Sequence, residues 1–416
     1  MMMLLITGTS LPCAAETVPG ARGAAGTPGT PGTPGTPVEP VTTVKVTPTT
    51  VAPVELPPRP AQSTTLAVLT PDKLYVGLKH PLVVTVNAKQ ARDAMGAGSG
   101  INKPEALVGG GLAIALLEPV TARETARVDI AADLNAAAAK DDGTVRLDLG
   151  KAVPAIWAEG KPYYAQLVAG ERRIGPPLVL QPLIQPRRAA LDMRNPGRPM
   201  VTFPDKIGAG PRAFSGYRVF ADKIVIMETE LGELAFALRP DAAPNTAWNF
   251  RHLVKGGFFD GTDFFRTVPV GSVTGKGFVV QGGDPTLTEP YEGGPGYDLD
   301  LEPSSLQHDY GVLSMARDTE PDTAGSQFFI CLSREETRRL DGQYAAFGQL
   351  LAAAPGGGAN NAVEVLGRIA ASKLVAGKVD RPANPVKIIS MRLADAAPYG
   401  TGPKVLTLEG NKPGVR

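Results

Sequence analysis

Four separated motifs between Phe264 and Phe347 constrain this chain more than anything else in its 416 residues. They are Phe264-Phe265-Arg266, Gly277-Phe278-Val279-Val280-Gln281-Gly282-Gly283-Asp284, Leu313-Ser314-Met315-Ala316 and Gly325-Ser326-Gln327-Phe328-Phe329-Ile330. The run closes with Leu340-Asp341-Gly342 and Phe347-Gly348. Each motif mixes apolar side chains with one or two side-chain donors, as a pocket for an apolar ring on a polar backbone requires. Gln327 is the sharpest of these signals, because its amide lies inside an apolar run and is costly to bury without partners.

The flanking pattern predicts a β-rich frame for these motifs. Ile224 to Glu230 and Leu234 to Leu238 flank the turn Leu231-Gly232-Glu233 and read as a hairpin. Pro244 and Asn245-Thr246 open a helix that puts Ala247, Phe250 and Val254 on one face and stops at Gly256-Gly257. Ala359 to Ser372 reads as a second amphipathic helix, and Pro385 to Leu393 as a last strand. Many antiparallel strands with two helices predict a closed barrel capped at its ends.

The rest of the chain divides by composition. Residues 1–15 run from an apolar start to Cys13-Ala14-Ala15, the pattern of a signal peptide cleaved before Glu16. Residues 16–62 read as a flexible or polyproline-like tether, with glycine at every third position from Gly20 and four closing Gly-Thr-Pro triplets. Residues 63–186 break into short β-branched runs separated by turns, among them Leu112–Leu117, Thr144–Leu149, Tyr163–Val168 and Pro177–Leu183. That spacing predicts a β-sandwich, immunoglobulin-like in class. Residues 187–220 read as a connector, residues 221–396 as the barrel domain, and residues 397–416 as a tail with little to order it.

Composition excludes several functions. A net charge of +1 supplies no basic field for nucleic acid, and no stretch reaches the ~18 apolar residues of a membrane span. His80, His252 and His308 lack ligand spacing, so no metal is expected. Cys331, in an apolar strand, reads as a small core residue. Gly271 to Gly277 falls short of a phosphate loop, with three residues between glycines where four are needed.

From about residue 223 to 395 the chain resembles cyclophilin-type peptidyl-prolyl cis-trans isomerases, on the motifs given above. The resemblance implies an eight-stranded antiparallel barrel with a helix at each opening, no cofactor, and proline-containing polypeptides as substrates. It implies Arg266 and Gln281 as the catalytic pair. Phe278, Val279, Phe329 and Leu340 would line the proline pocket, Gln327 would join Gln281 in holding substrate backbone and orienting Arg266, and Ala316 and Arg317 would form a substrate edge. Tyr344 stands where the family carries a histidine, and Arg339 where many members carry tryptophan. Val270 to Gly277 is an insertion that lengthens the rim, and His308 is structural.

The first reading is therefore an exported isomerase that assists the folding of unfolded or extended chains. A second is a proline-peptide binding or chaperone module whose altered rim has cost most of its turnover, and a third makes the sandwich an adhesion domain with the barrel as passenger. Export carries its own test. The intact mass of protein recovered from its native cell should correspond to a chain starting at or near Glu16, and a full-length product would contradict cleavage.

Overall fold

The computed structural model describes residues 69–87, 90–91, 111–133, 143–204, 212–353 and 362–406. The leader and the tether lie outside the described residues.

The first part is a sandwich of two antiparallel sheets. Strands Leu69–Pro71, Val83–Asn87 and Thr144–Asp148 form the smaller one. The larger has six strands in the spatial order Tyr75–Gly77, Phe214–Ala221, Arg172–Ile184, Tyr163–Ala169, Leu112–Leu117 and Glu124–Asp129. Val84 and Val86 of one sheet and Ile114, Leu116, Leu167 and Leu180 of the other share a single core. The opposite face of the larger sheet is covered too. Ala113, Ala115, Val168, Val179 and Phe220 pack against Trp248, from the barrel, and Tyr399, from the chain's end. Burial on both faces explains why Leu112–Leu117 is apolar throughout instead of alternating.

Two boundaries differ from expectation. The segment expected as a connector, 187–220, contributes strand Phe214–Ala221 to the larger sheet and a hairpin, Ala190–Asp192 with Met200–Thr202. Arg-, Pro- and Gly-rich flanks conceal these strands from any periodicity. The segment expected as an unordered tail also packs. Tyr399 stacks on Tyr164 at 4.3 Å, its hydroxyl accepts from the Val120 amide at 2.9 Å, and its own amide donates to Gln166 Oε1 at 2.9 Å. Val405 bridges Leu351. A lone tyrosine and a lone valine carry no pattern that sequence can reveal.

The second part is a ring of nine strand segments. Its two ends, Asp263–Phe264 and Arg266–Thr267, are separated only by Phe265. The first pairs with Val386–Asp395 and the second with Val279–Gly282, so residues 263–267 act as one strand that closes the barrel, and the ring counts as eight. Helix Pro244–Gly256 begins on proline and ends at Gly257, whose φ of 75° suits a residue without Cβ. Its Phe250 meets Phe259, Phe328 and Phe347 at centroid distances of 4.9, 5.4 and 4.9 Å. Helix Ala362–Ala370 adds Val365, Leu366 and Ile369 to the same core. A short helix, Arg334–Thr337, that sequence did not anticipate lies beside the four motifs. Among the described residues no helix is long and apolar enough to cross a membrane.

Tyr399 tests the sandwich–barrel packing. Tyr399→Ala removes a buried ring and the hydroxyl that accepts from the Val120 amide, and should lower stability by roughly 3 kcal/mol on the scale of buried aromatic truncations. A urea-unfolding midpoint that does not move would contradict this packing.

Candidate functional site

Strand alternation divides the four motifs between two faces. Phe264, Val280, Phe328, Ile330 and Leu313 point into the barrel core, whereas Val279, Phe329, Cys331 and Val312 gather in a separate apolar cluster on the outside. The expected site residues belong to this outer face. Ladder register then sets their neighbours: Arg266 lies opposite Gln281, Gln281 opposite Phe329, and Phe329 opposite Ser314.

A polar row crosses these strands. Arg266 Nη1 donates to Gln281 Oε1 at 3.3 Å, and Gln281 Nε2 donates to Gln327 Oε1 at 3.1 Å. Gln327 Nε2 donates in turn to Asp284 Oδ2 at 2.9 Å and to the Tyr291 carbonyl at 2.8 Å. The half-buried Gln327 amide that stood out in the sequence is thus satisfied inside a connected network. Sequence reasoning missed the residue at the other end, Asp380, whose carboxylate accepts from Arg266 Nε at 2.9 Å. It arrives on the loop before the last strand, where an aspartate in a polar stretch carries no distinguishing signal. The Arg266 side chain is only 16% exposed, so Asp380 supplies the opposite charge that makes its burial tolerable.

An apolar wall lies beside this row. Val279, Ala316, Phe329 and Leu340 are buried, and Phe278 and Tyr344 pack on them half-buried. Tyr344 meets Phe329 edge-on at 5.7 Å. Arg339 covers the Phe278 ring at 4.6 Å, and Arg317 lies 4.6 Å from the Tyr344 ring. Arg317 also donates to the backbone carbonyls of Gln343, Asp318 and Thr319, so the edge it occupies is rigid. Next to that edge runs an open groove of about 460 Å³ between Glu292–Asp298 and Ala316–Asp318. The inserted loop is anchored as well: the Glu336 carboxylate accepts from the Val273 amide at 3.2 Å and from Thr274 Oγ1 at 2.9 Å. Although burial opposes it, these donors hold Glu336 below the usual carboxylate range.

Behind Phe329 stands His308, stacked on it at 6.0 Å and fully buried. Its ring nitrogens bond Asp341 Oδ1 at 3.1 Å and Ser314 Oγ at 2.9 Å, an arrangement that orients the wall and leaves no face for chemistry. Burial pushes the Cys331 thiol far up, which suits a packing residue.

Residues 224–393 match the family model described as cyclophilin type peptidyl-prolyl cis-trans isomerase/CLD. A peptidyl-prolyl cis-trans isomerase of Synechococcus elongatus is 43% identical over 124 residues, 30% of this chain and 77% of the relative. A peptidyl-prolyl cis-trans isomerase-like 1 of Gibberella zeae is 34% identical over 177 residues, 41% of this chain and 94% of the relative. Among solved structures, a Cryptosporidium parvum cyclophilin type isomerase crystallised in the presence of the dipeptide Ala-Pro is 31% identical. The match covers 42% of this chain and 99% of that one, with a TM-score of 0.34.

The His308 environment predicts a pH effect on stability. Burial lowers its pKa, the Asp341 carboxylate opposing and Arg334 adding to the shift. A lowered folded pKa means that, as pH falls below the ordinary value near 6.5, the unfolded chain binds the proton first and the folded state loses ground. Between pH 7 and 5.5 the wild type should lose more stability than His308→Gln. Equal losses in urea titrations at the two pH values would show that His308 is not held neutral.

Proposed function

Because this chain belongs to the cyclophilin-type peptidyl-prolyl cis-trans isomerase family, it accelerates rotation about X-Pro peptide bonds, and we propose that Arg266, preorganised by Asp380 and Gln281, is the residue that does so. The barrier to rotation, ~18–20 kcal/mol, comes from delocalisation of the nitrogen lone pair into the carbonyl. In the twisted amide that delocalisation is lost, and the nitrogen becomes a hydrogen-bond acceptor that the planar amide does not offer. A donor placed there binds the transition state better than either ground state, as catalysis requires.

The observation that carries this reading is the fixing of one guanidinium at two of its nitrogens beside a ring-sized apolar wall. With Nε on Asp380 and Nη1 on Gln281, the plane of Arg266 is set, and Nη2 makes no bond to a described residue. In the proposed complex the proline ring lies on Phe278, Val279, Phe329 and Leu340, Nη2 meets the twisting nitrogen, and Gln281 and Gln327 hold the flanking backbone. Ala316, Arg317 and Tyr344 form the edge toward the groove. A groove open to solvent suits an extended or unfolded chain, which supports a role in assisting folding. The larger sheet runs Arg172–Ile184, Tyr163–Ala169, Leu112–Leu117, Glu124–Asp129, and this order favours an immunoglobulin-like class for the sandwich. Export after Ala15 completes the reading.

Turnover of a proline tetrapeptide separates the roles. Arg266→Ala should lower kcat at least a hundredfold, since ~3 kcal/mol of transition-state stabilisation is worth that much. Asp380→Asn keeps the donor and loosens its placement, so kcat should fall about tenfold with KM little changed. An unaltered rate in Arg266→Ala would contradict the assignment.

A further inference from the structure

Single exposed apolar side chains are ordinary on a protein surface. Their placement around this barrel is not. Among the described residues from 190 on, the large apolar side chains left exposed fall in pairs, and every pair sits on a segment that touches the proposed proline site.

The first pair is on the insertion. Val270 and Val273 are 66% and 54% exposed, on the loop whose Val273 amide donates to the Glu336 carboxylate. The Glu336 carbonyl in turn accepts at 3.2 Å from Nε of Arg339, the residue that covers Phe278. The second pair is on the loop before the last strand. Val379, 70% exposed, precedes Asp380, whose carboxylate takes Arg266 and whose carbonyl accepts from the Thr267 amide at 2.9 Å. Val375 is folded onto the same loop, its amide donating to the Arg381 carbonyl at 2.9 Å. Leu287 and Tyr297 form the third pair, on the segment that supplies the Tyr291 carbonyl to Gln327 and one wall of the groove. Met193 and Met200 form the last, beside the turn of the hairpin Ala190–Asp192/Met200–Thr202. The Val201 amide of this hairpin donates to Gln343 Oε1 at 2.6 Å, and the Gln343 carbonyl accepts from Arg317 Nε at 3.2 Å, which ties the hairpin to the substrate edge.

Charge gives this rim no single sign. Glu292, Asp298 and Asp318 line the groove against Arg317, Lys276 pairs with Glu335, and Arg381 pairs with Glu289. What recurs around the pocket is apolar surface held in water, which is unfavourable until something covers it and marks a site of interaction. A tetrapeptide spans at most about 14 Å at ~3.4 Å per residue, so it occupies little beyond the pocket and its edge. A longer chain with its proline in the pocket runs out over the surrounding loops.

We infer that these loops form an apolar collar, and that the collar binds apolar side chains of an unfolded polypeptide outside the residues flanking its proline. The inference rests on the isomerase reading above and names the substrate class of that site: long unfolded chains rich in apolar residues, in preference to short or polar proline peptides. Continuity of the collar with the proline pocket identifies the occupant, because both are covered by one extended chain.

The test uses the full chain and two peptides of about fifteen residues, long enough at ~3.4 Å per residue to pass the pocket on both sides. Each has one central proline with the same immediate neighbours, and the outer positions are leucine in one peptide and serine in the other. In the wild type, kcat/KM should be roughly ten-fold higher for the leucine peptide, the gain from partly burying a few such side chains, and the difference should lie in KM. The ratio should persist in about 0.5 M salt, which screens charge and leaves apolar contacts in place. Combining Val270→Ser, Val273→Ser and Val379→Ser should cut the ratio about three-fold while tetrapeptide turnover stays as in the wild type. Because the ratio is taken within one protein, a change in overall activity does not obscure it. Equal kcat/KM for the two long peptides in the wild type, or a leucine preference that the triple variant keeps in full, would overturn the inference, and continued tetrapeptide turnover would leave the isomerase reading intact. Wild type that turned over no proline peptide of either length would overturn both.

Discussion

Closure of the barrel through residues 263–267 is the constraint on which the site depends. Asp263 and Phe264 pair with the last strand, and Arg266 and Thr267 pair with Val279–Gly282. The chain has no freedom at Phe265, which is buried and stacked on Tyr291 at 4.4 Å. Strand side chains alternate between faces, so a slip of one residue would turn Arg266 into the core and bring Thr267 out in its place. Phe264, wedged against Phe328 at 6.2 Å, opposes that slip. Hydrophobic packing inside the barrel therefore sets the position of a charged group outside it.

The same arrangement explains how a half-buried polar row persists on an apolar surface. Each amide in it accepts from one neighbour and donates to the next, and the row ends on carboxylates at both sides, Asp380 and Asp284. Asp284 is itself held by the amides of Thr286 and Gly293 at 2.7 and 2.8 Å. Breaking one member leaves its neighbour desolvated and unsatisfied, so the row behaves as a unit. The parts that distinguish this chain, namely the inserted loop pinned by Glu336, Arg339 on Phe278 and the hairpin Ala190–Asp192/Met200–Thr202 whose Val201 is held by Gln343, lie at the rim of this row and wall.

What the sequence disclosed follows from what leaves a periodic trace. The hairpin at 224–238, the helix opened by Pro244, and the motifs carrying Arg266, Gln281 and Gln327 all show alternation, capping or a polar residue where an apolar one belongs. Their neighbours in space show nothing of the kind. Asp380 is one acid in a polar loop and gains its meaning only from meeting Arg266 over more than a hundred residues. Gln343 is a surface amide until Val201 is folded beside it. Phe214–Ala221 hides behind proline and glycine, and Tyr399 is a single ring. The two faces of Leu112–Leu117 are equally apolar, which announces burial without saying against what. Local physics wrote the elements; their long-range partners were fixed by packing.

The central claim is that a guanidinium aimed at the twisting amide lowers a rotational barrier without altering the ends of the reaction. The direct measurement is exchange NMR on a short proline peptide with a trace of the full chain added. The account predicts cross-peaks between cis and trans resonances that appear with the wild type at unchanged populations and vanish with Arg266→Ala, while the peptide still shifts on binding. Binding by the wild type without exchange, or undiminished exchange with Arg266→Ala, would contradict it.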